Sequence, residues 1–301
     1  MLQFLFIGGG TGFIGTRISN ILRTSGYNVT IVSRMPGLNR ITWTDLDKVG
    51  LPSETSAVVN LAGQNVLDPT RRWSPDFKQN VYNSRINTSL SMVRAITAAE
   101  KKPEVFINIS GVSNYKPDLK KVYTEDDPSI DYDFMSKLCI EWEKAATISN
   151  DVGVRNVKIR SGVVLGREGG MIASLIYPFW FGVGGPVGSG MQALPWIHIE
   201  DLCQLIKFSI ENQKVQGVLN GVAPQIINNK DFSKAFARAL WRPALFPLPE
   251  FVVDTLFSKE RSVMLTTGAK IQPKRTLETG FKYEFGEIYP ACKDVGRLFP
   301  I

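Results

Sequence analysis

Gly8-Gly9-Gly10-Thr11-Gly12-Phe13-Ile14-Gly15 is the stretch whose reading decides the fold. An apolar run, residues 2–7, stops at it. From Phe13 to about Ser25 the apolar positions Ile14, Ile18, Ile21 and Leu22 then recur at helical spacing. Gly26 closes that helix, and residues 27–32, rich in β-branched side chains, read as a second strand. The N-terminal segment is therefore strand, glycine turn, helix, strand. Within the turn, Gly9, Gly12 and Gly15 stand at G-x-x-G-x-x-G spacing. Glycines so placed let the backbone approach a pyrophosphate and let the helix pack closely on the strand, while free N–H groups at the helix start attract phosphate.

The end of the second strand selects the dinucleotide. NAD enzymes usually place Asp or Glu there, about 20 residues past the glycines, to bind a ribose hydroxyl. Here the residues are Ser33 and Arg34. A carboxylate would repel a 2′-phosphate, whereas a hydroxyl and a guanidinium donate to it, so NADP(H) is the expected cofactor.

The alternation continues. Residues 41–43 are strand-like, and 57–63 read as a buried parallel strand ending in small residues. A long helix is expected over 75–101 with Leu90, Val93, Ile96 and Thr97 on its inner face, then a strand at 105–110. A loop rich in Asp, Lys and Pro (114–130) leads to a helix over 133–149 and a strand at 157–160, followed by 161–166. From Gly169 the composition changes: 182–190 hold five glycines and a proline after Phe179, Trp180 and Phe181, and the C-terminal part mixes prolines with short elements, including a strand at 218–220 and a helix at 231–240. The fold expected is α/β, a Rossmann-type doubly wound parallel sheet with a small C-terminal α/β substrate cap, its ligand at the C-terminal ends of the strands. Residues 1–168, with about 200–225 returning to them, would form the nucleotide domain; 169–199 and 226–301 would form the cap.

Composition narrows the function. With 301 residues, 44% apolar and 21% charged, intrinsic disorder and membrane spanning are excluded. Cys139, Cys203 and Cys292 are far apart and form no CxxC pair, and His198 is the only histidine, so no disulfide framework and no metal site are expected. Lys and Arg number 35 against 28 Asp and Glu, a net charge of +7. The basic pairs Arg71-Arg72, Lys101-Lys102, Lys120-Lys121 and Lys274-Arg275 are scattered and form no block of the five to eight residues that marks a polyanion site, so neither a nucleic-acid nor a membrane partner is expected. The chain opens on a strand without a charged leader, which favours a soluble, intracellular protein.

GGGTGFIG (8–15), VSR (32–34), NLAG (60–63), SR (84–85), DFxxxxCxxWE (133–143), RSGVVLG (160–166) and PWIHIEDL (195–202) together resemble the extended short-chain dehydrogenase/reductases, and more closely an atypical, epimerase-like family within them. The resemblance covers nearly the whole chain. It implies NADP(H) held by the glycine turn (Gly9, Thr11, Gly12, Phe13, Ile14, Gly15), by Ser33 and Arg34, by Leu61 and Ala62, by Asn80 and Arg85, and by Val164 at the nicotinamide end. It also implies a small-molecule substrate and allows a homodimer.

Active extended reductases use a Tyr and a Lys four residues apart on one helical face, the lysine lowering the tyrosine pKa, with a Ser or Thr orienting the substrate. Lys137 is present, but Asp133 stands four residues before it, and Tyr132 is one position out, about 100° around a helix. The candidate catalytic set is Ser110, with Ser113 as an alternative hydroxyl, Tyr132 and Lys137. This departure leaves open whether the relay is kept. His198 is expected to pack and bond to backbone, Trp142 to lie in the core, and Glu141 and Glu143 at the surface. The expected function is that of an NADP(H)-dependent oxidoreductase or isomerase on a small carbonyl or hydroxyl substrate. The alternative is a non-catalytic NADP(H)-dependent sensor or regulator.

Overall fold

Alternation with a period of two builds the centre of the protein. In the computed structural model, which describes residues 3–68 and 70–297 with backbone alone at 256 and 257, the strands are β1 (Phe4–Gly8), β2 (Asn28–Ser33), β3 (Arg40–Thr42), β4 (Thr55–Asn60), β5 (Val105–Gly111), β6 (Asp118–Tyr123), β7 (Arg155–Ser161), β8 (Val163–Gly166), β9 (Trp196–His198), β10 (Gly217–Gly221) and β11 (Ala269–Ile271). Between them run α1 (Phe13–Thr24), α2 (Trp43–Val49), α3 (Pro75–Ala98), α4 (Phe134–Ala145), α5 (Gly170–Trp180), α6 (Ile199–Glu211), α7 (Asn229–Ala239), α8 (Glu250–Phe257), α9 (Lys259–Thr266), α10 (Lys274–Glu278) and α11 (Ile288–Val295). Leu2, expected to open the first strand, lies outside the described residues.

Seven strands form one parallel sheet in the order β10-β7-β5-β4-β1-β2-β3. Leu5 and Ile7 pack with Val59, Ile107 and Ile159 against Ile18 and Leu22 of α1 and Leu202, Leu205 and Ile206 of α6. On the opposite face Phe6, Val58 and Phe106 pack against Leu46 of α2 and Met92, Ala95 and Ile96 of α3. Helices cover both faces, which is the doubly wound Rossmann arrangement expected, and burial on both faces explains why the strands are nearly continuous apolar runs. A second core gathers Leu165, Ile172, Phe179, Trp196, Phe232, Phe236 and Cys292 from β8, α5, β9, α7 and α11.

Four local expectations are corrected. On α3, Leu90 and Thr97 are exposed, and the buried face carries Phe77, Val81, Ser89, Met92, Ala95 and Ile96. Polar Ser89 is tolerated there because its hydroxyl accepts from Trp142 Nε1 at 3.1 Å and from Asn60 Nδ2 at 3.1 Å. The segment expected as a loop at 114–130 contains β6, which pairs with β11 far downstream in the chain; Tyr115 and Tyr123 bury themselves with Ala269 and Ile271 in a small core of their own. The helix expected from 133 starts at Phe134, with Asp133 as its N-cap accepting from Ser136 N–H, and ends at Ala145. Glu143 is buried rather than at the surface.

Candidate nucleotide and substrate site

The glycine turn sits where β1 ends. Gly9 has φ +73°, and a Cβ there would lie 2.8 Å from the backbone of Ala62, so both the conformation and the closeness of the two strand ends demand glycine. A Cβ on Gly15 would lie 2.3 Å from the Gly9 carbonyl oxygen, which fixes α1 tightly on the turn. Gly12 is the N-cap of α1, makes no side-chain cap and leaves the first turn free of acidic residues. The amides of Phe13, Ile14 and Gly15 at this uncapped start are placed for a pyrophosphate. The ring of Phe13 lies against the turn between β8 and α5, filling the space a Cβ on Gly166 or Gly169 would need, each 2.6 Å from it. Thr11 is exposed at the tip of the turn.

At the end of β2, Ser33 is buried and its hydroxyl donates to the Met35 carbonyl at 2.5 Å. Arg34 follows it into solvent and has no ion-pair partner among the described residues. At the end of β4, the Leu61 N–H donates to the Gly8 carbonyl and the Ala62 N–H to Asn60 Oδ1, which draws these two residues over the glycine turn. Asn80 lies on the exposed side of α3, and Val164 is half-buried on β8 beside Ile197. Arg85 donates to the Val81 carbonyl at 3.1 Å and stacks its guanidinium 5.0 Å from the Trp142 ring centroid, but no carboxylate pairs with it among the described residues. Burial pushes its pKa down to about 10, so the uncompensated charge costs stability throughout the range below that pH. An anion at Arg85 would relieve this cost. Arg85→Met is therefore expected to leave the ligand-free protein about 1 kcal/mol more stable in urea unfolding while weakening a bound dinucleotide about tenfold. Loss of stability in the ligand-free protein would contradict the assignment.

The three candidate catalytic side chains come to the same end of the sheet without touching. Ser110 lies at the end of β5, buried, and its hydroxyl has no hydrogen-bond partner among the described residues. Tyr132 precedes α4, and its hydroxyl donates to the Tyr115 carbonyl at 3.3 Å. Burial, with Asp133 adding to it, pushes that phenol above its ordinary pKa, the opposite of what a lysine partner would do. Lys137 is exposed, one turn into α4, with no partner for its side chain among the described residues. Ser113 is half-buried in the short turn after β5. His198 is the N-cap of α6: Nδ1 accepts from the Glu200 N–H, the ring stacks on Phe285 at 3.9 Å, and Nε2 lies 3.3 Å from Asp294 Oδ2. It is the packed, backbone-bonded histidine the sequence suggests, with its pKa lowered by burial.

Comparison with known proteins defines the lineage. A family model described as the NAD dependent epimerase/dehydratase family matches residues 5–221, more than two thirds of the chain. The chain belongs to this family. A second model, a domain of unknown function (DUF1731), matches 248–295 of this epimerase-family member. The bovine epimerase family protein SDR39U1 is 48% identical over 97% of the chain and 99% of its own length. The Bacillus subtilis epimerase family protein YfhF is 33% identical, over 93% of both chains. Among solved structures, human epimerase family protein SDR39U1 (isoform 2) with NADPH superposes with a TM-score of 0.96 at 46% identity, covering 98% of this chain and all of that one.

One part of the site in this epimerase-family chain is absent from the sequence reading: a buried polar network behind Ser110. Arg160, paired with Ser110 in the β5–β7 register, makes a bidentate ion pair with Glu143 at 2.8 and 2.9 Å. It also donates to the Tyr115 hydroxyl at 2.9 Å and to Ser129. Glu143 accepts from Asn114 at 2.7 Å, and Tyr115 donates to Asn220 on β10. Glu125 in turn accepts from the N–H groups of Asn220 and Arg275, tying α10 to the sheet. Two signals could have revealed the pair: an arginine inside an apolar strand, and an acid four residues beyond buried Cys139 on α4. No group of residues able to hold a metal ion occurs among the described residues.

Proposed function

We propose that the chain is an NADP(H)-dependent oxidoreductase or isomerase acting on a small carbonyl or hydroxyl substrate, which lies over the C-terminal ends of β4, β5 and β7. The observation that carries this reading is the Ser110 hydroxyl. Burying a hydroxyl without a partner costs about 1–3 kcal/mol, and a substrate oxygen would supply the missing partner. The residues present fit the cofactor: only the Gly9 carbonyl oxygen lies within 4 Å of where a Cβ on Gly12 would stand, the start of α1 there is uncapped, and Arg34 stands exposed where an acid would exclude a 2′-phosphate. The NADPH bound by the human relative supports that choice.

When bound, the nicotinamide supplies or accepts a hydride at the substrate carbon. Ser110 donates a hydrogen bond to the substrate oxygen and polarises it. Tyr132, kept protonated by burial, delivers the proton as charge develops on that oxygen; its present bond to the Tyr115 carbonyl is long and readily exchanged. Lys137 does not reach the phenol, so solvent water returns the proton to Tyr132 after each turnover.

A second reading, a non-catalytic NADP(H)-dependent sensor, is favoured by one observation: Tyr132 and Lys137 do not meet. One experiment separates the two. NADPH and NADH are titrated by fluorescence, and NADPH oxidation is screened against carbonyl compounds. Arg34→Ala should weaken NADPH about 10–150-fold and leave NADH unchanged. Ser110→Ala and Tyr132→Phe should lower kcat by about 100-fold with NADPH affinity retained. Tight NADPH binding without turnover on any substrate establishes the sensor, and equal losses for both nucleotides in Arg34→Ala remove the 2′-phosphate contact.

A further inference from the structure

The cap carries a second surface that the nucleotide site does not use. Tyr177 and Phe181, one turn apart at the end of α5, are exposed, the latter 68%. Beside them run residues 241–251, where Trp241 is 89% exposed, Leu245 72%, and Phe246 and Phe251 are also open. The two segments are joined. Arg242 Nε donates to the Trp180 carbonyl at 2.7 Å, Val187 pairs with Leu248 in an isolated bridge, and Gly185 lies so close to the Phe246 carbonyl that a Cβ would come within 2.1 Å of its oxygen. The two segments that carry these exposed apolar side chains are thus held side by side, and exposed apolar residues gathered in this way mark a binding surface.

The helix that leads into residues 241–251 is basic on its exposed side. On α7, Phe232, Ser233, Phe236 and Ala237 are buried, and the opposite side presents Lys230, Lys234 and Arg238, four residues apart, with Arg242 just beyond the helix end. All four are exposed. Asp231 is occupied in the α7 capping box, and Glu250 is the acid at the far edge. A cationic stripe leading into exposed Trp, Phe and Leu side chains matches the two layers of an anionic bilayer surface, where headgroups meet Lys and Arg and aromatic rings sit at the acyl boundary.

We propose that this face of the cap docks peripherally on anionic lipid membranes, with Trp241, Leu245, Phe246 and Phe181 entering the interface and the α7 stripe contacting headgroups. No helix among the described residues is long and apolar enough to cross a membrane, so attachment would be at the surface alone. The sequence expectation of no membrane partner rested on the lack of a contiguous basic block. One cation per helical turn escapes such a search.

The test is co-sedimentation of the full chain with vesicles of phosphatidylcholine alone or with 30 mol% phosphatidylglycerol, without nucleotide, at about 0.1 M and 0.5 M NaCl. Binding is expected to the anionic vesicles at low salt, and release at high salt. Lys230→Glu with Lys234→Glu should lower the partition coefficient about 25-fold, fivefold for each cation lost. The new acids lie in the first turns of α7, where the helix dipole tolerates them. Trp241→Gly should lower it about tenfold. Trp241 has φ +57°, which glycine adopts freely, so the fold is spared, and NADPH affinity serves as the control. Equal binding to neutral vesicles, or none to either, overturns the proposal. A dimer in light scattering that Trp241→Gly dissolves, without vesicle binding, assigns the face to a second copy instead. Because the readout needs no nucleotide, failure of the cofactor reading leaves it intact.

Discussion

Arg160→Met should destabilise the protein by about 3–5 kcal/mol, the cost of leaving a buried charge without its partner. Glu143 would keep only the Asn114 amide at 2.7 Å, in a position closed to water. The bidentate geometry at 2.8 and 2.9 Å, with further bonds to Tyr115 and Ser129, means that most of the donors of Arg160 are satisfied, and the paired carboxylate raises the guanidinium pKa. Glu143→Met should cost a similar amount. The double variant replaces both charges with apolar side chains of similar length and should be more stable than either single one, so that the losses fail to add by at least about 1 kcal/mol. Urea unfolding of the four proteins measures this directly. Additive losses would mean that the two side chains are held by separate contacts. Because Arg160 lies beside Ser110 in the sheet, and Asn114 ends the turn that follows β5, the single variants should also weaken dinucleotide binding, whereas the double variant recovers stability without recovering the Tyr115 and Asn220 contacts.

The contrast between this network and the glycine turn explains which parts of the molecule are legible in the sequence. The turn is local. Strand, glycines, helix and second strand fall within residues 4–33, and each residue's role is dictated by neighbours a few positions away. Tertiary partners decide the rest. β6 is polar and mostly exposed along its length, and nothing in its own pattern announces β11 as its partner. Glu143 reads as a surface acid until Arg160 is placed opposite it, yet it lies one helical turn from Cys139 on the buried face of α4. Leu90 on α3 errs in the other direction: an apolar residue taken for core faces solvent, while Ser89 beside it turns inward to meet Trp142 and Asn60. In the candidate site, the positions expected around a pyrophosphate follow from glycine spacing. The side-chain directions of Tyr132 and Lys137 do not, because Asp133 caps α4 and leaves Tyr132 outside the helix, where helical spacing no longer governs it.

Gly9→Ala should lower NADPH affinity by at least about 100-fold, a loss near 2.7 kcal/mol. Two costs combine. At φ +73° an alanine pays about 1–2 kcal/mol for the left-handed conformation. Its methyl would also lie 2.8 Å from Ala62 N and Cα and 2.9 Å from the Leu61 carbonyl carbon, all backbone atoms that cannot swing aside as a side chain could. Relief requires the end of β4 to retreat, which moves Leu61 and Ala62 away from the place assigned to the cofactor. Gly26 supplies the control. It has φ +89° but nothing within 4 Å of a Cβ, so Gly26→Ala should cost similar conformational energy and leave affinity unchanged. Gly12→Ala is the complementary case: φ −79° and a nearest atom at 3.4 Å predict an unstrained fold, with affinity falling only because the methyl occupies the approach to the helix N-terminus. Isothermal titration with NADPH, paired with urea unfolding of each variant, separates strain from obstruction. Should Gly9→Ala and Gly26→Ala lose stability equally and keep equal affinity, the Gly9–Ala62 approach would have no part in holding the nucleotide.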